Sequence, residues 1–158
     1  MFAGLKSFCF AVLIGSIAIQ AAPLQQSSEF LSKRQIGDLQ CNINRLQIVG
    51  AMAQMGGTLA TLKSETASDP ATSAAVAAAQ GGLNTANQGV ATIAKAIITG
   101  QNAPAAARTQ VEDGLNTVLT SIQNATSSDA NVTQNLQKLQ TQLQAAGTAG
   151  NGVLANCK

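Results

Sequence analysis

Histidine, tryptophan and tyrosine are missing from this sequence, and its four phenylalanines, Phe2, Phe8, Phe10 and Phe30, all precede residue 35. Without histidine there is no Ser-His or Cys-His nucleophile and no imidazole metal ligand. Charged residues make up only 10% of the chain. From residue 35 onward they cancel, with Arg45, Lys63, Lys95, Arg108, Lys138 and Lys158 against Asp38, Glu65, Asp69, Glu112, Asp113 and Asp129. Nucleic-acid binding draws on clustered Lys/Arg and usually on aromatic stacking, so that class is set aside.

Catalytic chemistry is equally poorly supplied. Glu112 and Asp113 are adjacent acids, but neighbouring helix positions point about 100° apart, so they do not form a facing general acid/base pair. Gly81-Gly82 lacks the lysine and strand context of a phosphate loop. The sequence predicts a non-enzymatic protein with no cofactor and no metal.

Long apolar runs are missing as well, apart from Phe8 to Ile19. That run is too short to span a bilayer, which takes about 20 residues. With Lys6 ahead of it and Ile19-Gln20-Ala21 behind, it reads as a secretory signal peptide over 1–21. Residues 22–34 are polar and end in Lys33-Arg34, a dibasic pair of the kind cut by processing proteases of the secretory pathway. They read as a pro-peptide, which leaves 35–158 as the domain.

Cys9 departs with the leader, leaving Cys41 and Cys157 near the two ends of that domain. In an oxidising compartment two cysteines normally pair. The alternative, a catalytic or metal-binding cysteine, lacks the histidine it would need.

What the chain does have is helical periodicity. Val76, Ala79, Leu83, Ala86, Val90, Ile93 and Ile97 step by three and four, the seam of a helix packed on other helices. Asp69-Pro70 supplies its start and Gly100 its stop. A first helix is expected from about Asp38 to Ser64, with Leu39, Ile43, Leu46, Val49 or Gly50, Ala53, Gly57 and Ala60 as its buried stripe. Asn102-Ala103-Pro104 opens a third helix with Ala107, Val111, Leu115, Val118 or Leu119, and Ile122 inward. Ser127-Ser128-Asp129 opens a fourth, with Val132, Leu136, Leu139, Leu143, Ala146, Gly150, Val153 and Cys157 on one face and a weak point at Gly147 to Gly152.

Short connections make successive helices antiparallel. The expected fold is therefore all-α, an up-down-up-down four-helix bundle stapled by one disulfide, Cys41–Cys157. In that topology both cysteines lie at the same end.

Two glycosylation sequons, Asn124-Ala125-Thr126 and Asn131-Val132-Thr133, flank the third connection at the opposite end. Ile48, Met52, Met55 and Ile98 fall off the expected stripes. Such surplus apolar residues either widen the buried face or offer contact to a lipid or hydrophobic surface. Thr85, Thr92 and Thr99 form a ridge at seven-residue spacing, which reads as a solvated face or a contact for ice or polysaccharide.

The leader, the Ser32-Lys33-Arg34-Gln35 junction, the Ala/Thr/Gln-rich body headed by Asp38-Leu39-Gln40-Cys41-Asn42 and the terminal Asn156-Cys157-Lys158 resemble small secreted proteins of filamentous fungi. Among these, the chain is similar in style to the hydrophobic surface-binding protein A and cell-wall galactomannoprotein family. The resemblance implies a secreted, Ala-rich helical bundle of the cell surface or wall that adsorbs to hydrophobic surfaces or holds lipid. An alternative function is a soluble secreted effector or inhibitor-like protein that binds an extracellular partner protein.

The processing reading makes a direct prediction. Intact mass spectrometry of material secreted by a eukaryotic host should show a chain beginning at Gln35, two protons lighter than its thiol form, with sugar mass on Asn124 or Asn131. A mass that includes residues 22–34 would remove the pro-peptide.

Overall fold

Asp69 and Pro70 begin the second helix as their chemistry demands. The Asp69 carboxylate accepts the amides of Ala71 at 3.1 Å and Thr72 at 3.2 Å, while Pro70 occupies a position that has no amide bond to lose. Gly100 ends it: at φ 71° it lets Gly100 N–H reach Ile97 O at 3.0 Å and Gln101 N–H reach Ala96 O at 2.8 Å. This pair of hydrogen bonds satisfies carbonyls that the helix end would otherwise leave free. In this computed structural model, which describes residues 39–157, the helices are α1 (Leu39–Glu65), α2 (Pro70–Ile98), α3 (Ala105–Gln123) and α4 (Ala130–Asn156). No strand occurs among the described residues. The expected signal peptide, pro-peptide and the Lys33-Arg34 junction lie outside them.

Asp129 caps α4, accepting from Asn131 N–H at 2.7 Å and Val132 N–H at 3.3 Å. Asn102 does not cap α3, contrary to expectation. Pro104 itself is the flanking residue, with no side-chain cap, and its carbonyl accepts from Ala107 and Arg108. Nor does α4 break at Gly147 to Gly152; it runs unbroken to Asn156.

The helices alternate in direction and form the expected four-helix bundle, with two intimate pairs, α1 with α4 and α2 with α3. Contact between the pairs is slighter. Small residues explain the second pair. A Cβ on Gly114 would lie 2.5 Å from Ala86 N, and one on Gly82 would lie 2.7 Å from Gly114 O, so the α2 and α3 backbones touch where neither side has a side chain. Gly82, although glycine is a poor helix former, is here a crossing point. The α1–α4 pair is joined by Cys41–Cys157, whose Cα atoms are 5.0 Å apart across 116 positions of sequence. Close to that bond, Gly152 admits the side chain of Asn44, which a Cβ would meet at 2.6 Å.

One expected stripe is wrong. On α1 the residues Leu39, Ile43, Leu46, Val49, Ala53, Gly57 and Ala60 face water, and Cys41, Asn44, Ala51, Met52, Met55, Leu59 and Leu62 are inside. Met52 and Met55 are therefore core residues and not surface contacts, while Ile48 is half-buried against the core. Both faces of α1 carry aliphatic side chains, so periodicity alone does not choose between them. The staple does, because it requires Cys41 to turn toward α4.

The buried cluster sits toward the end opposite the disulfide. Met55, Leu59 and Leu62 meet Val76, Leu83, Val118, Ile122, Val132 and Leu139 there. Toward the disulfide end the interior is filled by Cys41, Asn44, Ala96, Ala107 and Ala149, which leaves it thin.

Two substitutions of glycine should act with opposite sign. Gly114→Val forces α2 and α3 apart and should cost about 2–4 kcal/mol. Gly147→Ala fills open space on a helix surface and should add about 0.5–1 kcal/mol. Urea unfolding monitored by circular dichroism reads both, and equal midpoints would refute the close-crossing account. Replacing both cysteines by serine should remove about 4–5 kcal/mol on the chain-entropy estimate. Amide exchange should then rise first at Cys41–Ile48 and Gly150–Asn156, and unchanged protection there would refute the staple's role.

Candidate functional site

Three of the carboxylates, Glu65, Asp69 and Asp129, are committed to structure. The Thr72 hydroxyl, with the Thr72 and Ala71 amides, holds the Asp69 carboxyl below the usual aspartate range against a small opposing effect of burial. The same hydroxyl lies 2.7 Å from Thr126 O, tying the start of α2 to the third connection. Glu65 accepts from Asn135 Nδ2 at 3.0 and 2.9 Å. Glu112 and Asp113 stand exposed on α3. No group of three or more His, Cys, Asp or Glu able to hold a metal occurs among the described residues.

Two open clefts lie at the end away from the disulfide. One, of about 670 Å³, is lined by Glu65, Asp69, Ser127 and Asp129, and another, of about 420 Å³, by Ile122, Ala125, Leu136 and Gln140. The carboxylates of the first are already hydrogen-bonded as caps or to Asn135. Both sequon asparagines are exposed at this end, Asn124 after the last turn of α3 and Asn131 in the first turn of α4. The Thr133 hydroxyl donates to Asp129 O at 2.9 Å. On the α2 ridge, the hydroxyls of Thr85, Thr92 and Thr99 donate to carbonyls four residues back, at 3.1, 3.0 and 3.0 Å. Their hydrogen-bonding capacity is partly used within the helix, as is usual for a solvated threonine.

Apolar exposure is concentrated at the other end. Leu39, Ile43, Leu46 and Val49 line the outer side of the first half of α1, with Leu46 71% exposed. Ile97 and Ile98 end α2, and Leu154 lies in the last turn of α4. By the antiparallel order these three helix ends lie together, beside the disulfide.

Part of this exposure comes from side chains of the inner stripes. Leu83, Val90 and Ile97 follow one another at seven-residue spacing on α2, and they pass from 5% exposed through half-buried to 38%. On α4, Leu143 is buried, whereas Leu154, eleven residues on and facing the same way, is 71% exposed. The side of α2 that faces α1 thus passes to water, and burial on α2 turns toward α3 through Gly89 and Ala96. The interior at the disulfide end opens outward.

Of the expected contact residues, Ile98 is on this apolar end at 85% exposure and Ile48 lies half-buried beneath it, but Met52 and Met55 are elsewhere, in the core. Helical spacing alone predicts Leu39, Ile43, Leu46 and Val49 in the core, and the structure places them outside. The position of Cys41 carries the signal that corrects them: a helix that turns Cys41 inward turns Leu39, Ile43 and Leu46 outward. No described helix is long and apolar enough to cross a membrane. Compared with protein-family models, with curated proteins and with solved structures, the chain matches none.

Proposed function

We propose that this chain is a secreted, non-enzymatic protein of the cell surface or wall that attaches to a hydrophobic surface or lipid through its disulfide end. The observation that carries this reading is the segregation of exposed aliphatic side chains to one end of the bundle. A protein this size normally scatters such residues singly, and a contiguous apolar patch marks a contact site. The sequons support the same polarity. Sugars on Asn124 or Asn131 would stand about 40 Å from the apolar end, at 1.5 Å of rise per helical residue, and leave it free.

The stripe Leu39, Ile43, Leu46 also has the spacing of a helix that docks into a protein groove. That spacing favours a second reading, a soluble secreted effector or inhibitor-like protein bound to a partner.

Adsorption to octyl-coated beads separates the two. The chain should be retained, and Ile43→Ser/Leu46→Ser/Ile98→Ser should weaken retention about a hundredfold, taking about 1 kcal/mol per partly buried aliphatic side chain. Its melting temperature should barely move, because exposed substitutions change stability by less than about 0.5 kcal/mol. Equal retention of the variant would overturn the surface-binding reading, and a stoichiometric protein captured from extracellular fluid in its place would establish the second.

A further inference from the structure

Charge is distributed unevenly along the bundle, and its sign at the apolar end says what kind of surface fits there. On α1 and α2, Gln80 Nε2 donates to Leu59 O at 3.5 Å, and Leu83 Cδ2 lies 3.8 Å from where a Cβ on Gly56 would stand, which fixes the relative register of the two helices. Continued toward the disulfide end, that register sets Arg45 level with Lys95. Arg45 is half-buried, donating to Asn42 Oδ1 at 3.1 Å, and Lys95 is exposed one turn before Ile98. Arg108, near the start of α3, has Glu112 one turn on along the same exposed face and so adds no net charge to this end.

Among the described residues no carboxylate accompanies Arg45 and Lys95. Glu112 and Asp113 stand at mid-length, next to the Gly114 crossing, and Glu65, Asp69 and Asp129 are toward the opposite end, where Lys63 and Lys138 offset two of the three charges. Asp38 and Lys158, which adjoin the described ends of α1 and α4, carry one charge of each sign. A chain that is neutral from residue 35 onward thus presents an apolar end with a basic flank.

Resting on the reading of this end as a lipid or hydrophobic contact, we propose that its surface is a bilayer containing anionic lipid. The aliphatic side chains Leu39, Leu46, Ile98 and Leu154 enter the boundary between headgroups and acyl chains. Arg45 and Lys95 stand at one height on the two helices, at a level where long cationic side chains bury their stems and keep their heads among lipid phosphates. A purely apolar solid would give these cations nothing to bind. A protein groove would have to supply carboxylates at matching height. An anionic bilayer supplies both components at once.

Flotation of the purified full chain with vesicles tests this. Each cation near an anionic leaflet contributes about fivefold in affinity, so vesicles containing roughly one-third phosphatidylglycerol should bind about 25-fold more tightly than vesicles of phosphatidylcholine alone. Raising salt from about 0.1 to about 0.5 M should remove most of that preference through screening. Arg45→Gln/Lys95→Gln should abolish the preference and keep both the melting temperature and the adsorption to octyl beads.

Equal binding to the two vesicle types, or adsorption to beads with no vesicle binding, would overturn the anionic-bilayer inference and leave the hydrophobic-contact reading standing. Binding to neither vesicles nor beads would overturn both. A preference that survives in the double variant would overturn the assignment to Arg45 and Lys95. A stable dimer that buries Leu46 and ignores vesicles would replace the bilayer with a second copy of the chain.

Discussion

The bond between Cys41 and Cys157 constrains more than the ends of the chain. Because Cys41 must turn toward α4, its side chain fixes the rotation of the whole of α1 about its axis. That rotation sends Met52, Met55, Leu59 and Leu62 inward and Leu39, Ile43 and Leu46 outward. It also offsets a local deficit. The interior near the bond is built from alanines, a cysteine pair and Asn44, whose Nδ2 donor is buried without a partner, at a cost of about 1–3 kcal/mol. Closing a loop this long is worth about 4–5 kcal/mol, enough to hold an end of the bundle that packing alone holds weakly.

The two helix pairs solve the same problem by different means. The α2–α3 pair needs no staple, because Gly82, Ala86, Gly89 and Gly114 bring its backbones into van der Waals contact over several turns. The α1–α4 pair is held by the disulfide at one end and by polar contacts further along, among them the Thr58 hydroxyl on Gln142 Oε1 at 3.0 Å and Asn135 on Glu65. Between the pairs lies the aliphatic cluster, and it covers only part of their length. A molecule without aromatic side chains in its bundle has little volume with which to fill the remainder, and so the inner side chains Ile97 and Leu154 reach water where the cluster stops.

Most of this architecture was legible in the residues. Asp69, Pro70 and Gly100 announced the limits of α2, Asp129 announced α4, and antiparallel alternation with two cysteines predicted which ends meet. The seams of α3 and α4 read correctly because each has a single aliphatic face. The phase of α1 did not, since its two faces are almost equally apolar and the choice between them is tertiary. Had Cys41 been required to share the buried stripe, the sequence would have placed Met52 and Met55 inside. The turning of α2 toward α3 was hidden for a related reason, because glycine and alanine at a close crossing carry no hydrophobic signal. The open end was illegible for both reasons together.

An exposed aliphatic side chain forfeits up to about 1.5–3 kcal/mol that burial would have contributed. On α1 this loss is repeated at Leu39, Ile43, Leu46 and Val49, while the same helix is turned so that glycine and alanine occupy the outer face further along, at Ala53, Gly57 and Ala60. The outer face therefore changes character along its length, from large aliphatic side chains to small residues, at the level where the buried cluster begins. The interior changes in the opposite sense, from small to large. Packing within one molecule gives no reason to arrange both gradients this way, since exchanging the two sets would thicken the thin end. The proposed contact with something outside the chain would, because the large side chains would then be withdrawn from water.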